Sequence, residues 1–236
     1  MASLTETRHE LAIANRILFS QGVVDGFGHV SVRHPTGPDR FLLARSMAPA
    51  LVTADDILTF DLNGEAADAA GRAVYLERFI HSEIYRRRPD VISVVHNHSP
   101  AVVPFGVVRG ATLRPICHMS GFLGDGAPVF EIRDTAGEAS DMLICSRQLG
   151  AALAASLGQS AVVLMRGHGC TVIGGTLRQA VFRAVYTEVN AKLQCEAVRL
   201  GPVTYLSAAE AHASSTTNDG QIDRAWQLWR MRAEAA

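Results

Sequence analysis

YLERFIHSEIYRRRPDVISVVHNH, running from Tyr75 to His98, holds the two periods that decide the fold. Its first half, Tyr75 to Arg87, spaces apolar residues as a helix does, with Leu76, Phe79, Ile80 and Ile84 on one stripe. Pro89 cannot continue a helix and ends it. Val91 to His98 follows as a mainly apolar run bounded by prolines, which reads as a strand. A strand fed by a helix is the building unit of a helix-covered sheet.

Upstream, Thr5 to Gln21 reads as an amphipathic helix with Leu11, Ala14, Ile17 and Leu18 on one face. Thr5 can cap its start and Gly22 can end it. Gly28 to Arg33 alternates as a strand does, His34 to Asp39 turns, and Phe41 to Ala44 completes a hairpin. Thr53 to Asp56 resembles a helix-start box, Ile57 to Asp61 a strand, and Asp61 to Gly64 a turn. Downstream, Arg109 to Glu138 is rich in Gly and Pro, with short strand-like pieces such as Pro128 to Ile132. Arg147 to Leu157 reads as a small helix. Ala161 to Met165 and Thr171 to Ile173 read as strands joined by Arg166-Gly167-His168-Gly169. Thr176 to Leu200 is a long helix without Gly or Pro, and a polar stretch, Ser214 to Gly220, precedes a C-terminal helix carrying Trp226 and Trp229. Hairpins and helix-fed strands together predict an α/β fold with a mixed central sheet, not strict Rossmann alternation. No repeat or linker divides the chain, so one domain over 1–236 is expected.

Composition narrows the class. Hydrophobic residues at 48% and charged residues at 19% exclude a disordered or fibrous chain. A net charge of -1 and the lack of any basic stripe argue against nucleic-acid or anionic-membrane partners. Cys117, Cys145, Cys170 and Cys195 form no C-x-x-C pair, which argues against a disulfide scaffold or a cysteine zinc cluster. With no signal-peptide core near the N-terminus and no membrane-length apolar run, a reduced cytoplasmic protein is expected.

Three motifs carry chemistry. On a strand, residues two apart share a face, so His96 and His98 can aim two imidazoles at one point. His168 lies between Gly167 and Gly169 just after an apolar strand and brings the count to three nitrogens, the usual number for a metal site with an open position. Glu77 lies among Tyr75, Leu76 and Phe79, where a carboxylate requires a partner. It is a fourth ligand or a general acid/base. His81, one helical turn on, is a ligand, a supporting residue or a packing residue.

In order and spacing, Glu77-x-x-x-His81, Arg88-Pro89-Asp90, Val94-Val95-His96-x-His98 and Arg166-Gly167-His168-Gly169 resemble the class II aldolase/adducin family. The opening helix and Gly28 to Arg33 match as well, so the resemblance spans roughly Leu4 to Leu206. It implies a three-layer αβα fold and one divalent ion on His96, His98 and His168, with Glu77 as ligand or acid/base. It further implies a homotetramer with interfacial active sites. The ligand chemistry suits Zn or Mn, with Fe or Co as alternatives.

The departures from that family's sugar-phosphate aldolases guide the function. Those enzymes usually carry Asn where His29 stands, and often a Ser-Ser pair where Tyr75 and Leu76 stand. Their Thr-Pro-Ser-Gly segment is Ala44-Arg45-Ser46-Met47 here. The wording Asp25 to Arg33, with Pro115-Ile116-Cys117-His118-Met119, resembles the branch that decarboxylates hydroxylated aromatic or pyridine dicarboxylates. The expectation is therefore a metal-dependent decarboxylase acting through an enolate-like intermediate on a small aromatic carboxylate. Glu77 or His118 would deliver the proton, and His29, Arg45 and Ser46 would orient the substrate; His118 as a structural loop residue is the alternative. An aldolase, a non-haem iron oxygenase and a non-catalytic adducin-like interaction protein are the rival readings.

Overall fold

The computed structural model describes residues 3–235. Helix α1, Leu4–Ser20, begins two residues earlier than a cap at Thr5 would place it. Ser3 caps it instead, in a reciprocal pair with Glu6 that satisfies two otherwise unpaired backbone N–H groups. Strands β1, His29–His34, and β2, Gly37–Ala44, form the expected hairpin, and β3, Ile57–Asp61, lies beside β2. The box at Thr53 caps a single 3-10 turn, Ala54–Asp56.

Helix α2 covers Arg78–Arg87, not Tyr75 onward. Residues 75–77 form a turn because their side chains are tied elsewhere: the Tyr75 hydroxyl donates to the Met47 carbonyl, and the Ile144 N–H donates to the Glu77 carboxylate. Strand β4 is Ser93–Asn97, so His98 lies just beyond it. The short helices α3, Val103–Val107, and α4, Arg133–Ala136, flank β5, which shrinks to Val129–Phe130. Helix α5, Arg147–Leu157, strand β6, Val162–Met165, and strand β7, Gly169–Gly174, follow. Helix α6 is Leu177–Leu200 with Thr176 as its cap. The polar stretch from Ser214 lies mostly within helix α7, Ala208–Asp219, which starts in a capping box between Ser207 and Glu210. Helix α8, Ile222–Ala235, buries Trp226 and Trp229.

The sheet has seven strands in the order β3-β2-β1-β4-β7-β6-β5. Every pairing is antiparallel except β5 with β6, so the sheet is mixed as expected. Strand period places its residues on opposite faces. Val95 faces a core with Ile17, Val181 and Trp226, whereas neighbouring Val94 faces one with Ile80, Ile84 and Leu153. Helices α1, α6 and α8 thus cover one face and α2 and α5 the other, giving three layers. No helix among the described residues is long and apolar enough to cross a membrane. Strand β4 runs through the middle of the sheet and ends at the site.

Candidate metal centre

Three separate parts of the chain converge at the end of β4. His96 comes from the strand itself and is fully buried. His98 follows the strand's last residue; its neighbour Ser99 is anchored by donating to the buried Glu188 carboxylate of α6. His168 sits in the tight β6–β7 turn, closed by a 3.0 Å bond from its own N–H to the Met165 carbonyl. Glu77 stands just ahead of α2 in non-helical backbone (φ -87, ψ 19) and makes no capping bond; its carboxylate lies against the strand ends instead.

The ring nitrogens meet edge to edge. His98 Nε2 lies 3.1 Å from His96 Nε2 and 2.9 Å from His168 Nε2. Glu77 Oε2 lies 3.4 Å from His96 Nε2 and 3.6 Å from His168 Nε2. One donor atom from each of the four residues lies within 4.8 Å of every other. Glu77 Oε1 accepts from the Ile144 N–H at 3.0 Å, which leaves Oε2 for the cluster.

The outer hydrogen bonds decide the tautomers. His96 Nδ1 faces the Cys170 carbonyl at 3.2 Å, and His168 Nδ1 faces the Met142 carbonyl at 2.9 Å. A carbonyl only accepts, so each Nδ1 carries the proton and each Nε2 presents a lone pair inward. Lone pairs and a carboxylate turned on one buried point repel unless a cation lies between them. Three imidazoles and one carboxylate suit a borderline divalent ion such as Zn, Mn, Fe or Co. These residues therefore fit a divalent metal.

Electrostatics follow the same geometry. Burial alone would raise the Glu77 pKa, but His96 and His168 beside it hold it well below the usual carboxylate range. Burial lowers His168, yet its contact with Glu77 lifts it above the ordinary imidazole value. Burial and the neighbouring histidines hold His98 down to about 4.

Gly169 makes the close packing possible. A methyl group there would overlap the Asn97 carbonyl oxygen across the β4–β7 pair. Gly169→Ala should push the β6–β7 turn away from β4, moving His168 off the cluster. Its expected effect is a ~10–100-fold weaker metal affinity, the range for lost support of a ligand, measured by competition with a chromophoric chelator. Unchanged affinity would show that the turn is not set by this contact.

A cavity of about 350 Å³ opens beside the cluster, walled by Phe27, Met47, Tyr75, Leu76 and Leu143 and reaching Glu77 and His98. Among the expected substrate residues, His29 and Ser46 line it. Arg45 does not: the β2–β3 pairing brings Asp56 beside it, and its Nε donates to Asp56 Oδ1 at 2.7 Å. His118 is also not brought to the cluster. It is exposed at the start of a 3-10 turn, His118–Leu123, where Asn218 of α7 holds its carbonyl at 2.8 Å. His81 is no ligand, since it lies fully buried behind His29 with Nε2 at 2.6 Å from His29 Nδ1. Burial, then the neighbouring His96, holds it down to about 3. Ser31 and Tyr85 continue this buried line, and sequence reading missed both. The signal was present: His29 and Ser31 are two apart on a strand, and His81 and Tyr85 are four apart on a helix.

Comparison with known proteins agrees with this architecture. Residues 9–195 match the family described as Class II Aldolase and Adducin N-terminal domain. The chain is 38% identical to the decarboxylase tropJ of Talaromyces stipitatus, over 92% of this chain and 90% of that protein. It is 33% identical to a 3,4-dihydroxyphthalate decarboxylase of Arthrobacter keyseri, over 82% of this chain and 79% of that protein. The fold superposes with a TM-score of 0.80 on an L-fuculose 1-phosphate aldolase from Glaciozyma antarctica, at 21% identity, covering 100% of this chain and 94% of that one.

Proposed function

The chain belongs to the class II aldolase and adducin family, and from that premise we propose that it is a divalent-metal-dependent decarboxylase of a hydroxylated aromatic or heteroaromatic carboxylate. The observation that carries the reading is the convergence of Glu77, His96, His98 and His168 beside a cavity with apolar walls. The kinship with proteins named decarboxylases supports it.

His96, His98 and His168, with Glu77, would hold the ion. When bound, a divalent ion supplies the positive charge that favours electron density left behind as a carbon–carboxylate bond breaks. The chain's own residues do the rest. Phe27, Tyr75, Leu76 and Leu143 offer flat and branched apolar surface to an aromatic ring and exclude water from it. His29 and Ser46 are the polar groups of that wall beyond the cluster, suited to carboxylate or hydroxyl oxygens. Glu77, held ionised, would hold the ion, or would take the proton of a substrate hydroxyl or carboxyl and return it to the carbon that loses CO2. The reaction needs one proton at the carbon that loses CO2. His118 reaches such a site only across a subunit boundary, in the homotetramer that we also propose.

An aldolase reading for sugar phosphates has less support. The positions that carry small polar residues in those enzymes carry Tyr75 and Leu76 here, and Arg45 is engaged with Asp56. The test is CO2 release by the purified protein with Zn or Mn, from hydroxylated benzoates, phthalates and pyridine dicarboxylates, beside sugar phosphates. CO2 from an aromatic acid, lost with a chelator and restored by the ion, is expected. Aldehyde formation without CO2 from any aromatic acid would overturn the proposal.

A further inference from the structure

Behind the cavity wall runs a line of four polar side chains. His29 Nδ1 is 2.6 Å from His81 Nε2, His81 Nδ1 is 2.6 Å from Ser31 Oγ, and Ser31 Oγ is 2.7 Å from the Tyr85 hydroxyl. All four residues are buried. Each contact carries one proton, and a neutral line of this kind can point in either of two directions. In one, His29 offers an N–H to the cavity; in the other, a lone pair.

The far end selects between them. Tyr85 has two acceptors in reach, Ser31 Oγ at 2.7 Å and the Ile92 carbonyl at 3.4 Å. The first has ordinary hydroxyl geometry and the second is too long for a strong bond. Tyr85 therefore donates to Ser31. The Ser31 proton must then go to His81 Nδ1, which leaves the His81 proton on Nε2. That proton is donated to His29 Nδ1. The remaining proton of His29 sits on Nε2, which has no protein partner among the described residues, while the ring borders the cavity 4.5 Å from that of Tyr75.

We propose that Tyr85, Ser31 and His81 are positioning residues that lock His29 in the Nε2–H tautomer, as a fixed neutral donor to an anionic oxygen of the substrate. The reverse direction would set a lone pair against that anion. A donor fixed before the substrate arrives needs no reorganisation during the reaction and adds no buried charge beside the cluster. The role toward substrate rests on the decarboxylase reading; the tautomer does not.

The test reads the tautomer directly. In nitrogen-15-labelled full-length protein at neutral pH, two-bond proton–nitrogen correlations of the imidazoles are assigned with H29Q and H81Q. Both His29 and His81 should give the neutral Nε2–H pattern. An Nδ1–H pattern or an imidazolium at His29 overturns the proposal whatever the substrate proves to be. Tyr85→Phe removes the group that sets the direction, and Ser31→Ala breaks the line. Each should add a second His29 tautomer. Each should also raise KM for the aromatic acid roughly tenfold, as for one lost hydrogen bond to a charged group, with a smaller change in kcat and unchanged metal content. If both variants keep a single Nε2–H signal at His29, the line does not set it and the proposal fails. Should Ser31→Ala not fold, the conservative Tyr85→Phe decides alone.

Discussion

His96→Ala should yield a folded protein that no longer retains a stoichiometric divalent ion. His96 is the fully buried member of the cluster, placed by the central strand and oriented by the Cys170 carbonyl. Without it the remaining nitrogens, on His98 and His168, stand on connections rather than on a paired strand. If the ion contributes several kcal/mol of charge stabilisation, its loss lowers turnover by roughly 10³-fold or more. Elemental analysis of dialysed protein measures the first effect and CO2 release the second. Retention of one ion per chain would remove His96 from the ligand set. Acidification should act in the same direction. The Glu77 contact raises the His168 pKa in the metal-free protein, so protons compete for that nitrogen at higher pH than for an ordinary imidazole. Apparent metal affinity should therefore rise as pH is raised from acid conditions.

Glu77→Gln should keep the fold and lose ~10²–10⁴-fold in turnover, the range for removing a general acid or base. The amide is close in shape, and its oxygen can still accept from the Ile144 N–H. Wild-type turnover would remove Glu77 from the chemistry. Stability provides a second measurement, in metal-free protein. The folded pKa of Glu77 lies below its ordinary value of 4.5, so its stabilising contribution is present above that value and fades as pH falls below it. Urea denaturation should therefore find the variant less stable than wild type near neutrality, with the difference narrowing under acid conditions. A difference independent of pH would contradict the electrostatic account.

The legible parts of the site were those that one element sets by itself. His96 and His98 follow from strand period, and His168 from a glycine-flanked turn. The mixed sheet followed from seeing a hairpin and a helix-fed strand in one chain. Arg45 stands off the cavity because its partner Asp56, eleven residues away, is delivered only by the register of β2 against β3, which pairs Ala44 with Ile57. His118 lies away from the cluster of its own chain because α7 packs on its turn, a long-range contact that local sequence does not encode. The stretch after Ser214 was legible only as polar. Its helix depends on a cap at Ser207 and on two buried residues, Ala211 and Asn218. Glu77 was found by composition, but its place at a helix start depends on where Tyr75 and Ile144 pull the backbone.

The cavity walls come from four different connections: Phe27 between α1 and β1, Met47 between β2 and β3, Leu76 ahead of α2, and Leu143 ahead of α5. The donor atoms of the proposed metal site instead belong to the end of the central strand, the turn beside it and the residue just ahead of α2. Two of these connections are tied to the proposed centre: Leu76 adjoins Glu77, and Leu143 stands between Met142, whose carbonyl holds His168, and Ile144, whose N–H holds Glu77. Surface connections tolerate change in length and residue far better than a paired strand does. A lineage, or an engineer, can thus vary the cavity at Phe27 and Met47 while leaving the proposed centre in place, whereas exchanging the loops of Leu76 or Leu143 would also move Glu77 or His168.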